Sequence, residues 1–321
     1  MGRAERMLEL LLDHKPQVDR LLAAVAAIDP GAPSEAAMID QLDAFAGASG
    51  RLSGPDDLLA HVFGGLGFRG DTAKYYDAKN SMLHHVIDRR VGIPLSLAVV
   101  AAEIGRRLDI ALSVIGLPGH VVLSDGSGEI WFDPFRGGRR LTRAGCEAIA
   151  ASARPGVPFD DRVLRPMAAV TIVGRTLENL RAAHLRSGDR SALIATLELR
   201  ARLPGAPPTF GVEFATALAS FGRLDAAAEE RDRLATIQPD HSDEHQRVAH
   251  IVRGAAAVRQ GRVGRAAEGG VERVFARKRP RRGRVGARQG ARCPPKQRVK
   301  EAAVKGGGRP TGAAACRRPH R

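Results

Sequence analysis

His120 and Asp133 are the residues whose types and spacing most directly suggest chemistry. Gly119 to Ser124 and Glu129 to Asp133 flank Asp125-Gly126-Ser127-Gly128 and read as a hairpin. A turn centred between Gly126 and Ser127 sets His120 opposite Asp133 and Val122 opposite Trp131. Opposed side chains have Cβ atoms roughly 4.5–5.5 Å apart, so an imidazole and a carboxylate there can hydrogen-bond directly. Val121, Leu123, Ile130 and Phe132 alternate with them and form an apolar face. A one-residue bulge would undo this pairing. Two other histidine groups have helical spacing: His84 with Asp88, and His241 with His245, with His250 further on. Neither supplies a third ligand at a metal-binding distance, so both read as solvated helix faces and no metal is expected. Gly64-Gly65-x-Gly67 and Gly306-Gly307-Gly308 lack the strand-loop-helix setting and the Lys-Ser/Thr of a phosphate loop, so no nucleotide or other cofactor is expected. Cys146, Cys293 and Cys316 show neither CxxC spacing nor an even disulfide framework, which excludes a zinc ribbon and fits a reducing compartment. Cys146 itself reads as a small buried hydrophobe.

The elements that must position these residues follow from periodicity and punctuation. Helices are expected over Arg3 to Leu12, from Pro16 to Asp29-Pro30, after a Ser34 cap, and from Pro55, where Leu58, Leu59, Val62 and Phe63 share one face. Another is expected from about Asn80 to Arg90. A more apolar one follows from about Pro94 to Arg107, with Pro94 in the first turn, where its missing N–H costs nothing. The run from Ile93 to Ala102 is apolar nearly all round, which marks a central, buried helix. Ile110 to Ile115 reads as a strand, and after the hairpin Phe135-Arg136-Gly137-Gly138 reads as a loop. Val170 to Leu185, Arg190 to Leu203, Phe214 to Gly222 and Leu224 to Ile237 alternate with turn signals, as antiparallel helix pairs do.

The chain has 321 residues, enough for two domains with sizeable cores. It is 44% hydrophobic, 26% charged and 4% aromatic, the composition of a soluble globular chain. Its longest nearly uncharged apolar stretch, Ile93 to Ala102, falls short of the roughly 20 residues of a spanning helix, so no membrane contact is expected. Arg3, Glu5, Arg6 and Glu9 interrupt any secretory core, which makes the cytoplasm the expected compartment. The net charge of +15 is unevenly spread. Residues 253–321 hold 21 Lys+Arg against 3 Asp+Glu, a net +18, leaving −3 for residues 1–252. That tail has no Leu, no Ile and a single Phe, so it cannot offset its ordering entropy and is expected to be disordered. It reads as a basic arm for phosphate backbones, as a solvated tail, or as translation of GC-rich DNA in the wrong frame.

Gly67-Phe68-Arg69-Gly70, Tyr75-Tyr76-Asp77, Asn80-Ser81, Arg89-Arg90-x-Gly92-Ile93-Pro94-Leu95-Ser96-Leu97, Leu117-Pro118-Gly119-His120 and Phe132-Asp133-Pro134-Phe135 form an ordered series. Over roughly residues 40–240 the chain resembles the SirB-type family of bacterial transglutaminase-like proteins. The resemblance implies an α+β fold: a papain-like core with a buried helix against a small antiparallel sheet, N-terminal helices, and a C-terminal helical-hairpin region related to tetratricopeptide repeats. The implied division is 1–65 (helical), 66–160 (core), 161–252 (helical region) and 253–321 (tail). In that superfamily a Cys at the start of the central helix is the nucleophile, a His on the next core strand is the base, and an Asp on the following strand orients it. His120 and Asp133 match the second and third positions, but Pro94 or Ser96 stands where the thiol would be, and Cys146 comes after the Asp in chain order. The triad is therefore expected to be degenerate, Ser96-His120-Asp133, beside a cleft with Trp131, Asn80, Arg89 and Arg90. The two arginines would hold an acidic group or the Asp77 carboxylate. Ser96 has two readings, a side chain that satisfies first-turn N–H groups or a weak nucleophile activated by His120. The first makes the protein a noncatalytic binder of a protein or peptide partner, and the second an acyl-transfer or amide-hydrolysing enzyme. Nucleic acid would enter only through residues 253–321.

Overall fold

The computed structural model describes residues 2–259, all within the first of two units, 1–275 and 276–321. The basic tail expected from residue 253 lies outside the described residues apart from 253–259, which continue a helix. Three N-terminal helices open the chain: α1 (Arg3–Leu11), α2 (Val18–Ala26) and α3 (Glu35–Gly47). Ser34 caps α3 as expected, its hydroxyl accepting from the Ala37 N–H at 3.2 Å. Helix α4 (Pro55–Leu59) runs into a π-helical turn at Ala60–Gly65, which the apolar spacing did not reveal.

Two short parallel strands, β1 (Arg69–Gly70) and β2 (Val91–Gly92), bracket a 3-10 turn at Ala78–Asn80 and α5 (Leu83–Arg89). The helix expected from about Asn80 begins only at Leu83, Asn80 itself ending the 3-10 turn, and Arg90 closes it in a left-handed conformation, φ 55°. Helix α6 (Pro94–Arg107) has the bounds its sequence suggests and is buried along most of its length. Strands β3 (Ser113–Ile115), β4 (Val122–Ser124), β5 (Trp131–Asp133) and β6 (Arg139–Leu141) form an antiparallel sheet in that order, followed by α7 (Arg143–Ala153). Val114, Val121, Leu123 and Phe132 join the main core with α6, while Ile115, Val122 and Trp131 pack on Cys146 of α7. The sheet is therefore covered by a helix on each face.

The hairpin register differs from the expected one by two residues. Leu123 pairs with Phe132, and Ser124 with Trp131, so Val122 is not opposite Trp131. Side-chain to backbone bonds widen the loop at 125–130: Asp125 accepts from the Ser127 N–H at 3.0 Å, and Ser127 Oγ accepts from the Glu129 N–H at 3.1 Å. These local bonds compete with a two-residue turn. A shift of two preserves which residues share a face.

Helices α8 (Ala169–Ser187), α9 (Arg190–Ala201), α10 (Pro208–Ser220), α11 (Leu224–Ile237) and α12 (Ser242–Arg259) each pack on the next. Gly188 ends α8 at φ 73° and the Asp189 carboxylate caps α9 on the Ala192 N–H. One apolar core runs from α1 through α6 and the sheet to α8 and α9, and a second binds α9 to α12. No helix among the described residues is long and apolar enough to cross a membrane.

Candidate functional site

The glycine-rich motifs meet at the N-terminal end of α6. Gly70 and Gly92 pair across β1 and β2. A Cβ on Gly92 would lie 2.5 Å from Ser96 Oγ, and one on Gly70 would lie 2.5 Å from the Phe135 ring and 2.8 Å from its carbonyl oxygen. These positions take glycine because a side chain and a main chain approach within contact distance, not for backbone freedom. Ser96 is 5% exposed. Its hydroxyl donates to the Asn80 carbonyl at 2.7 Å, and it also lies 3.1 Å from both the carbonyl and the N–H of Ile93. Asn80, fully buried, donates its side-chain amide to Asp71 Oδ2 (3.1 Å) and the Lys74 carbonyl (2.8 Å), and its Oδ1 accepts from Arg89 at 3.2 Å.

Asp71 anchors this network without having stood out in the sequence. It accepts from the Lys74 and Ala73 N–H groups at 2.7 and 3.0 Å and lies 3.6 Å from the Arg89 guanidinium. Burial pushes its carboxyl up, but the Lys74 N–H, the Asn80 amide and the Ala73 N–H outweigh it and hold the group below the usual carboxylate range. The readable signal was Asp-Thr-Ala-Lys just after a strand, where a carboxylate turns back onto its own backbone. The expected Arg89–Asp77 pairing is replaced by Arg89–Asp71, because Asp77 caps the 3-10 turn through the Lys79 N–H. Arg90 turns away, donating to the Leu66 carbonyl at 2.5 Å and stacking over Phe45.

His120 sits just before β4, in a turn closed by its N–H to the Leu117 carbonyl. Gly119 (φ 72°) is held there against Ala153 of α7, which a Cβ would meet at 2.6 Å. From that turn His120 Nε2 reaches Asp133 Oδ1 at 2.9 Å. The two residues meet diagonally instead of by direct register, with His120 18% and Asp133 2% exposed at their side chains. The same Asp133 oxygen accepts the Phe135 N–H at 3.0 Å, and Arg136 lies 3.7 Å from its other oxygen. Nδ1 of His120 enters no hydrogen bond among the described residues. The arrangement fixes an imidazole by its distal nitrogen, which is what orients a general base or a single-site hydrogen-bonding group.

Among the described hydrogen bonds, none joins Ser96 to His120; the serine faces its own helix start and Asn80. Trp131, expected in a cleft, is 3% exposed and packs on Cys146, and its buried indole N–H has no partner among the described residues. Burial pushes the Cys146 thiol up to about 11, so it stays protonated at neutral pH and is no substitute nucleophile. A cleft of about 510 Å³ lies at the other end of α6, beside Glu103, Arg106 and Asp109, and includes none of Ser96, His120 or Asp133. The expected solvated pairs also differ: His84 is buried and faces Asp29 instead of Asp88, and His245 faces Gln238.

Residues 19–178 match the family described as Transglutaminase-like superfamily. A UPF0162 protein of Xylella fastidiosa is 40% identical over 146 residues, covering 42% of this chain and 51% of that protein. A UPF0162 protein of Pseudomonas aeruginosa is 33% identical over 154 residues, 48% of this chain and 55% of that protein. Human F-box only protein 21 is 32% identical over 116 residues, 32% of this chain and 18% of that protein. The chain thus spans about half the length of the bacterial relatives it matches. No solved structure matches it. The matched span holds α6, the sheet and the His120–Asp133 pair, so the site described above lies within the segment of this chain that is similar to the transglutaminase-like superfamily.

Proposed function

We propose that the chain is a SirB-type protein in which the transglutaminase-like core is noncatalytic and binds a protein or peptide partner in the cytoplasm, with α8–α12 as a tetratricopeptide-like second surface. One observation carries the reading: the hydroxyl at the nucleophile end of α6 is Ser96, and the main chain of Asn80 and Ile93 engages it completely. A hydroxyl proton held by a carbonyl is not offered to His120, and a serine without its base is a poor nucleophile. His120, oriented by Asp133 and partly exposed, remains as a hydrogen-bonding group for a ligand. Nearby, Tyr75 and Tyr76 are 37% and 50% exposed, and Tyr75 meets Phe135 edge-on at 5.8 Å. Exposed tyrosines next to a fixed polar group favour protein contacts. In human F-box only protein 21 the matching segment is 18% of the length, so there too the core is one module of a longer chain.

The test treats the full chain with a fluorophosphonate probe for nucleophilic serines and, in parallel, selects binders from a displayed random-peptide library. The reading expects Ser96 unlabelled and peptides whose affinity falls on His120→Ala and Tyr76→Ala. Labelling of Ser96 that is abolished by His120→Ala would instead establish the acyl-transfer or amide-hydrolysing enzyme, Ser96-His120-Asp133. A library that yields no His120-dependent binder would remove the binding role.

A further inference from the structure

Asp29, His84 and His85 bring three donor atoms together where the turn after α2 meets α5. Asp29 lies in the turn after α2, where its Oδ1 accepts the Gly31 N–H at 2.8 Å. That bond directs Oδ2 toward the two imidazoles, 3.2 Å from His84 Nε2 and 3.1 Å from His85 Nε2. The three donor atoms all lie within 4.8 Å of one another. We propose that they form a site for a divalent transition metal, zinc by preference of the donor set, with two imidazole nitrogens and one carboxylate oxygen as protein ligands and an open fourth position. The proposal is independent of the His120–Asp133 reading.

Zinc bound at about 2.0–2.1 Å to nitrogen and oxygen in a tetrahedron separates its ligands by roughly 3.3 Å. Two edges of the triangle are within about 0.2 Å of that value. His85, 24% exposed at its side chain, has room to close the third, and with Asp29 at 29% it leaves a route in from solvent. His84, at 3%, forms the buried wall. No Arg or Lys pairs with Asp29 among the described ion pairs. The imidazole centroids lie 4.1 Å apart with the rings tilted by 37°, close enough for both to serve one ion. His84 Nδ1 is buried without a partner among the described residues, so the hydrogen bond that usually braces a ligating histidine is not made there. Such a loss typically costs 10–100-fold in affinity, which points to a moderate rather than a picomolar site.

The full chain, stripped with a chelator, is titrated with zinc by calorimetry and with cobalt(II) by visible absorption. The expected result is one equivalent bound, a tetrahedral cobalt spectrum without thiolate charge transfer, and a melting temperature that rises with zinc. Asp29→Asn and His85→Gln are each expected to weaken binding at least about tenfold. Circular dichroism of both variants without metal keeps a loss of binding distinct from a loss of fold, since His85 is partly exposed and its replacement leaves the core packed. Binding that is unchanged in both variants, or that shows thiolate bands, would place the metal elsewhere and overturn the proposal; so would a melting temperature indifferent to zinc.

Discussion

Ser96 explains why Gly92 is glycine, and the two can be tested as a pair. A Cβ at Gly92 would meet Ser96 Oγ at 2.5 Å, Val86 Cγ1 at 3.2 Å and Leu97 Cγ at 3.3 Å. Gly92→Ala must push the serine off its bonds to Asn80 and Ile93, an overpacking cost of about 1–3 kcal/mol. Ser96→Ala alone leaves the Ile93 N–H and Asn80 carbonyl without that partner, at about 1–3 kcal/mol for buried groups. Because the double variant removes the clashing oxygen and lets the new methyl at position 92 occupy its space, its cost should be well below the sum of the two. Urea denaturation of the four proteins measures this. An additive cycle would mean that Ser96 swings away freely when Gly92 changes, and the structural role assigned to its hydroxyl would fall.

At the scale of elements, α6 is held by charge as well as by its apolar surface. Asp19 of α2, fully buried, accepts from Arg106 at 3.1 Å and Arg107 at 2.7 Å, and Arg107 also bonds Asp43 of α3. Asp19→Ala takes one carboxylate from Arg107, 10% exposed, and leaves it Asp43 and Glu103, so it should cost about 1–3 kcal/mol in a denaturation experiment. Glu103 lies in the same network, yet burial, then the Asp19 carboxylate, raises its pKa toward the neutral form. Glu103→Gln keeps a polar side chain beside Arg106 and Arg107 and should cost less than Asp19→Ala; equal losses would mean that Glu103 holds the two arginines as firmly as Asp19 does. The sequence made α6 plain, since Pro94 and an unbroken apolar run leave little choice of bounds. Strand β6 was hidden because Arg139 and Arg140 lie on a short, exposed edge with no apolar alternation to read. The His120–Asp133 contact was legible because a two-residue slip keeps both on one face. The approach of Asp29 to His84, 55 residues away, was not legible, since it depends on how α2 and α5 pack.

Among the described residues three histidines are buried in three separate places, and together they set the response of this part of the molecule to acid. His84 belongs to α5, His184 to α8, where Nδ1 meets Thr196 Oγ1 at 3.0 Å, and His245 to α12, where Nε2 meets Gln238. None is more than 4% exposed. Burial is the largest cause in lowering each pKa, joined by His85 at His84 and by Arg231 at His245. The folded chain therefore resists protons that the unfolded chain takes up near the ordinary histidine value of about 6.5. The stabilisation is complete above that pH and is lost as pH falls below it toward the depressed folded values. If all three act together, the slope in that window approaches about 4 kcal/mol per pH unit, three protons at about 1.4 each. The carboxylates held low, Asp29, Asp71, Glu213 and Glu230, lose stability in the same direction but only in the lower window where carboxylates titrate. Denaturation with chelator present, at about pH 7.5 and about pH 5.5, should therefore show a marked drop that His184→Gln lessens by roughly one third of the slope. A flat profile over that range would mean that acid reaches these histidines without unfolding the chain, through local opening of the helices that cover them.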